Sequence, residues 1–209
     1  MIGLFSRPFR TATAPARILA LDVETSGLDR RRNDILSVGM VPLVDRAIRW
    51  GESHYALVQP PRGSSPLGPA ELEALGVHQI LPDDVANAAP AEEVLAEVER
   101  RCGAADALLC HGAQIDVGFL RAAFRAVGQL WTPPPVLDTL RLLARLRRRE
   151  RWLGDRDRGP PLDLAAARAH FGLPAYPPHH ALYDALAAAE LYLVLYDRLG
   201  AGTAPDRRR

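Results

Sequence analysis

The stretch RILALDVETSGL, residues 17–28, organises the reading of this 209-residue chain. Its first seven residues are rich in leucine and β-branched side chains and have the length of a fully buried strand. Side chains two apart leave the same face of a strand, so Asp22 and Glu24 emerge together where the run ends. Thr25-Ser26-Gly27 then turns the chain away. Two carboxylates on one sheet face repel each other unless a proton or a cation lies between them. The pair therefore admits two readings, a metal site or two solvent-facing acids at a strand end.

Working outward, residues 35–44 and 47–59 are two more extended runs, joined by Asp45-Arg46 in the manner of a hairpin. Pro, Gly and Ser crowd residues 59–69, which read as a loop. Val94, Leu95, Val98 and Cys102 recur at helical spacing, which predicts an amphipathic helix beginning after Pro90. Residues 105–110 have strand length, and Phe119, Leu120, Ala123, Phe124 and Val127 predict a helix over 116–127. Pro133-Pro134-Pro135 stops the chain before a short strand at 136–137 and a helix over 139–149. A polar loop at 153–161 leads to a helix over 165–171, and after further prolines a long helix spans about 180 to 199. Strands cluster first and then alternate with helices, so the expected class is α/β, a mixed sheet with helices on both faces.

Composition narrows the class of partner. Apolar residues at 48% and charged residues at 24% fit a globular protein, and no apolar run approaches the roughly 20 residues of a membrane helix. No membrane association is expected. All 26 basic residues are arginine, so any side-chain cation that meets a phosphate here is a planar guanidinium fork. Net charge is only +1, so attraction for phosphates must be local. The densest basic stretch, Arg141, Arg145, Arg147, Arg148, Arg149 and Arg151, reads either as a solvated helix face or as a track for a nucleic-acid backbone. Cys102 and Cys110 lack partners at metal-ligand spacing and read as buried thiols in a reducing compartment. Residues 1–16 hold too short an apolar segment for export, which predicts a flexible N-terminal arm on a cytoplasmic protein. A single domain over 17–199 and a disordered basic tail over 200–209 complete the expected organisation.

Two further acids stand at helix starts. Asp116 follows the strand ending at Cys110-His111 and by itself reads as an N-cap. Asp184 follows Pro177-Pro178-His179-His180-Ala181-Leu182-Tyr183. Residues five apart lie about 140° apart around one helix, so His179 and Asp184 converge only if His179 sits on the lead-in loop, which the prolines allow. Asp138, at the end of the last strand, reads as a helix N-cap or as a support for the other acids.

The three segments Asp-x-Glu-Thr-x-Gly-Leu at 22–28, His-x-Ala-x-x-Asp-x-x-Phe-Leu at 111–120 and His-x-Ala-x-x-Asp-Ala at 179–185 together resemble the motifs of the DEDDh exonuclease family. That family includes the proofreading epsilon subunit of bacterial DNA polymerase III, ribonuclease T and oligoribonuclease. The resemblance implies a ribonuclease-H-like fold, a five-stranded mixed sheet with one antiparallel strand, flanked by helices. It implies Asp22, Glu24, Asp116 and Asp184 as ligands of two divalent cations, Mg²⁺ or Mn²⁺, and His179 as general base in 3′-5′ hydrolysis of DNA or RNA. Thr25, Ser26, Leu28, His111 and Phe119 would contact the terminal nucleotide of a single-stranded 3′ end, although turn formation accounts equally for Ser26, and the helix-core spacing of Phe119 favours packing over base stacking. His180 occupies the variable position of its motif and receives no catalytic role. Gly112 and Ile115 depart from the usual Asn and the frequent Phe. Relatives of the ribonuclease T kind make a homodimer one expectation, whereas the short segment after the last helix gives no expectation of a stable polymerase partner. The contrasting reading is a catalytically silent nuclease fold that binds nucleic acid or a polymerase.

Overall fold

β1 (Arg17–Thr25) runs through the middle of a mixed sheet, and its alternation divides the molecule into two layers. Leu19, Leu21 and Val23 face one layer and Ile18 and Ala20 the other. Asp22 and Glu24 continue the second set. The computed structural model describes residues 15–59, 79–152 and 159–199; the predicted N-terminal arm apart from its last two residues, the tail, and most of the loops predicted at 59–69 and 153–161 lie outside them.

β2 (Ile35–Val44) pairs antiparallel with β1 along its whole length, with a register shift at Glu24/Thr25. Asp45 and Arg46 both take positive φ, 50° and 64°, and return the chain into β3 (Ala47–Ile48). Two left-handed residues in succession match the twist of the flanking strands, which is why so short a link closes the hairpin. The extended run predicted over 47–59 is interrupted: Trp50–Glu52 form a 3₁₀ turn, and β4 (His54–Gln59) begins only beyond it. Gly51 and the polar pair Glu52-Ser53 break the apolar alternation at that point.

The remaining elements are α1 (Pro82–Ala86), β5 (Ala89–Pro90), α2 (Ala91–Gly103), β6 (Ala107–Cys110), α3 (Gln114–Ala126), β7 (Val136–Asp138), α4 (Thr139–Trp152), α5 (Leu164–His170) and α6 (Ala181–Leu199). The strand order is β5-β4-β2-β1-β6-β7, with β3 beside β2. Among the five longer strands β2 alone opposes its neighbours. The expected five-stranded sheet is thus present, and the two-residue strands β3 and β5 bring it to seven.

α2 and α3 cover the face lined by Leu19, Leu21 and Val23, where Val98, Leu120 and Phe124 are buried. α4, α5 and α6 cover the other face through Leu143, Ala167, Ala189, Tyr192 and Leu195. Among the described residues no helix is long and apolar enough to cross a membrane.

Small residues set how closely α6 approaches the sheet. Gly39 of β2 is the register partner of Asp22, and a Cβ placed on it would lie 2.2 Å from the carbonyl carbon of Ala181. A hydrogen at that position therefore seats the start of α6 directly beside the acid-bearing strand. Arg168 of α5, 3% exposed, ties the segment ahead of α6 to the helix. Its guanidinium donates to the carbonyls of Ala187 and Pro174 and to Glu190 at 2.7–2.9 Å and lies over the Tyr176 ring. Gly39→Ala is expected to force α6 away from β2 and to cost about 1–3 kcal/mol, the usual penalty of overpacking. Thermal unfolding checks this, and an unchanged midpoint would show that the helix moves without cost.

Candidate active site

β6 pairs with β1 only from Ile18 to Ala20, so the two strands part before Asp22. Their chains also leave in opposite directions across the sheet, which places a crevice at the carboxyl ends of the strands. α3 enters that crevice from one layer, and α6 reaches it from the other.

Asp22, Glu24 and Asp184 each present a carboxylate oxygen within 4.8 Å of the others. Asp116 stands beside this trio from the opposite layer. α3 begins at Gln114, so Asp116 is the third residue of the helix and not the N-cap expected from sequence. Its Oδ1 accepts the Val23 N–H at 3.3 Å, supplying an acceptor where β6 has already ended. That bond fixes the acid one residue from Asp22 along the strand.

Burial acts in one direction on all four acids, and crowding adds to it at Asp22 and Glu24. Burial, and after it the charges of Asp116, Asp184 and Glu24, push the Asp22 carboxyl well above the usual carboxylate range. Glu24 is raised to about 7, first by burial and then by Asp184 and Asp116. Asp116 also rises to about 7 through burial, against the opposing pull of the Val23 N–H. Asp184 rises through burial, opposed by the bond its Oδ2 accepts from the His179 N–H at 2.9 Å. Near neutral pH this group of acids needs protons or a cation.

His179 precedes α6 in a left-handed conformation, φ 61°, with its ring exposed. This is the arrangement anticipated from the double proline: the residue lies off the helix while Asp184 occupies its first turns. The backbone closes on itself here, because Asp184 N–H also donates to the carbonyl of His180 at 2.9 Å.

The remaining residues singled out from sequence divide in two. Leu28 is 86% exposed and Ile115 53% exposed, two apolar side chains open to solvent at the turn after β1 and the first turn of α3. Thr25 donates its hydroxyl to the Gly27 carbonyl, and Ser26 Oγ accepts the Asp34 N–H, so both close the turn. His111 is engaged within the fold: Nδ1 lies 2.8 Å from Thr139 Oγ1, and burial lowers its pKa. Phe119 faces the core at 3% exposure and packs there instead of presenting a ring to a base. Asp138 fills both roles weighed for it, accepting Leu140 N–H as a helix cap and the N–H groups of Gly112 and Ala113 ahead of α3. Gly112 has φ 81°, a region that glycine and asparagine both tolerate, so the departure there keeps the backbone path.

Sequence reading missed Gly39 and Arg30-Arg31-Arg32. Gly39 gains its meaning only from the register opposite Asp22. The three arginines are exposed on a turn braced by Asp29 and Asn33, and Arg30 lies over Gly118, two residues beyond Asp116. Three consecutive arginines directly after the first motif were the available clue.

Residues 19–192 match the family model RNase_T, described as exonuclease. Among curated relatives, a protein of Mycobacterium tuberculosis named as a bifunctional exonuclease/endonuclease is 32% identical over 188 residues, covering 87% of this chain and 27% of that protein. The PolC-type DNA polymerase III of Oceanobacillus iheyensis is 29% identical over 187 residues, covering 87% of this chain and 11% of the polymerase. The chain thus spans only a minor part of the length of either relative. Among solved structures, the zinc-bound E. coli ExoI–ssDNA complex superposes with a TM-score of 0.72 at 16% identity, covering 88% of this chain and 41% of that one. The nuclease domain of 3′hExo, a DEDDh family member bound to rAMP, superposes with a TM-score of 0.69 at 15% identity over 93% of this chain and 98% of that one. An acidic cluster at the strand ends, on this fold and within a match that spans nearly the whole described chain, places the protein in the exonuclease family.

Proposed function

We propose that the chain is a divalent-cation-dependent 3′-5′ exonuclease that removes 5′ nucleoside monophosphates from single-stranded nucleic acid, with Asp22, Glu24, Asp116 and Asp184 as ligands and His179 as general base. The observation that carries the reading is the approach of three carboxylates within 4.8 Å, with a fourth beside them and a histidine held at the rim. An all-oxygen donor set suits hard cations, which favours Mg²⁺ or Mn²⁺. The raised pKa values of the acids indicate how much such a charge would relieve.

When bound, two such ions would stabilise the attacking and leaving oxygens of an in-line displacement at phosphorus. The chain's own part is to place and discharge the reactants. The His179 imidazole takes a proton from the attacking water at a ring nitrogen as the new O–P bond forms, and the bond from phosphorus to the 3′ oxygen breaks. Leu28 and Ile115 offer apolar surface to the terminal nucleotide, and Thr25 and Ser26 hold the turn that carries Leu28. Arg30-Arg31-Arg32 supply exposed guanidinium groups beside the crevice, suited to the phosphates that follow. DNA is the favoured substrate on the strength of the ssDNA held by the E. coli neighbour, with RNA the alternative that parallel assays separate. The buried, free thiols Cys102 and Cys110 accord with a reducing cytoplasmic setting. The polymerase relative favours a second reading, proofreading beside a polymerase, in which mismatched primer ends are removed faster than matched ones.

Wild-type protein with Mn²⁺ or Mg²⁺ is expected to release mononucleotides from labelled single-stranded oligomers, and Asp22→Asn to lower the rate by more than about 100-fold, beyond the cost of an outer-shell change. Retention of the rate by Asp22→Asn would remove the assignment.

The acids also set a pH dependence of stability. Glu24 and Asp116, with folded pKa values near 7, bind more protons in the native than in the unfolded chain between pH of about 4 and 7. Their contribution to stability is therefore present at low pH and is lost as pH rises through that window. Added Mn²⁺ is expected to raise the melting midpoint more at pH 8 than at pH 5, and Asp22→Asn to stabilise the metal-free protein at pH 8. A metal-induced shift that is equal at both values would refute this.

If Arg30-Arg31-Arg32 meet three phosphates, replacing all three by alanine should flatten the plot of log affinity against log salt by about 2, at roughly 0.7 per contact on a single strand. A parallel loss with no change of slope would place those arginines away from the strand.

A further inference from the structure

His180 carries no assigned role, yet its half-buried ring packs on two tyrosines at the rim of the site. Its imidazole stacks on Tyr55 of β4 with centroids 4.6 Å apart and planes 25° apart, and meets Tyr183 of α6 in a tilted contact at 4.8 Å. Tyr183 in turn stacks on Tyr176 at 6.0 Å, and Tyr176 is held by Arg168 and Glu190. The ring row thus runs from the sheet, through His180, to the buried arginine of α5. Tyr55 is itself the register partner of Gly39, the residue that seats α6.

The residue before His180 is the general base of the proposed reaction. His179 occupies the left-handed region at φ 61°, which is unfavourable for a non-glycine residue and persists only where its surroundings enforce it. One bond on its own backbone does so, from the His179 N–H to Asp184 Oδ2. The neighbouring side chain is the other fixed point, because a clamped His180 ring leaves the peptide between residues 179 and 180 little freedom to rotate.

We infer that His180 is a positioning residue: its ring, packed on Tyr55 and Tyr183, locks the His179 backbone so that the exposed imidazole of His179 is presented to the carboxylate site. The grip is stacking and not hydrogen bonding, since the buried His180 Nδ1 has no hydrogen-bond partner among the described residues. A benzene ring would therefore serve as well as an imidazole, and would remove an unsatisfied polar atom. This inference rests on the proposed role of His179, and its structural half is measurable without catalysis.

The test compares full-length wild type with His180→Ala, His180→Phe and Tyr55→Ala. Amide hydrogen exchange at His179 reads the lock, Mn²⁺ binding by calorimetry reads the carboxylates, and kcat and KM on a single-stranded oligomer read the chemistry. His180→Ala is expected to deprotect the His179 amide and to lower kcat about 10- to 100-fold, the scale of a displacement near 1 Å, with KM and Mn²⁺ affinity within about twofold of wild type. His180→Phe should restore both protection and kcat, Tyr55→Ala should resemble His180→Ala, and the two alanine changes combined should cost no more than either. The inference is overturned if His180→Ala leaves amide protection and kcat unchanged, if His180→Phe fails as His180→Ala does, or if Mn²⁺ affinity falls in step with kcat. A wild type that binds Mn²⁺ but cleaves nothing would instead remove the nuclease reading, while the exchange data still decide whether the ring clamp exists.

Discussion

Mutual repulsion among acids gathered at one end of β1 is the constraint around which this molecule is arranged. Burial raises the proton affinity of Asp22, Glu24, Asp116 and Asp184, and the charges of their neighbours raise that of Asp22 and Glu24 further. Folding must bring them together against that cost, so stability has to come from elsewhere in the domain. It comes from two apolar layers that meet along β1, whose odd-numbered residues feed one core and even-numbered residues the other. The acids stand where the second of these alternations runs out into the crevice.

Two of the acids are then held by backbone donors. Val23 N–H restrains Asp116, and His179 N–H restrains Asp184. Gly39 and Ala181 fix the distance between α6 and the strand that carries Asp22, because any larger side chain on Gly39 would occupy the helix backbone. Asp138 caps α4 and holds the turn ahead of α3 with the same carboxylate. Arg168 performs the corresponding task for the segment ahead of α6, neutralised by Glu190 so that its burial is tolerated. These supports lie on both layers, which explains why the site depends on the whole sheet and on no single loop.

The departures from the family pattern fit this scheme. Gly112 retains the left-handed backbone that the turn after β6 requires, and the position of Asp116 is set by Asp138 and Val23 without an asparagine side chain. Ile115 keeps an exposed apolar surface at the place where an aromatic ring is frequent. What changes is the surface beside the crevice, while the acids themselves are in place. The match covers most of this chain and a minor part of its curated relatives.

The strand and helix pattern, the two-residue hairpin link and the identity of the acids were legible in sequence because each depends on neighbours along the chain: alternation for β1, helical spacing for α2 and α3, two consecutive turn residues at 45 and 46, and fixed spacing within each motif. The loop placement of His179 was legible for the same reason, through the prolines beside it. Other features were decided only by the fold. Nothing local distinguishes Gly39 from other glycines until β2 lies antiparallel to β1 and α6 descends on it. The third-residue position of Asp116 in α3 follows from where the sheet ends and which layer closes over it. His180 reads as a variable position along the chain, and only the approach of Tyr55 from β4 gives its ring a surface to stack on. Local sequence fixes which groups exist and which way a strand presents them; the distances that gather the acids at the strand ends are contacts between segments remote along the chain, and only tertiary packing supplies those.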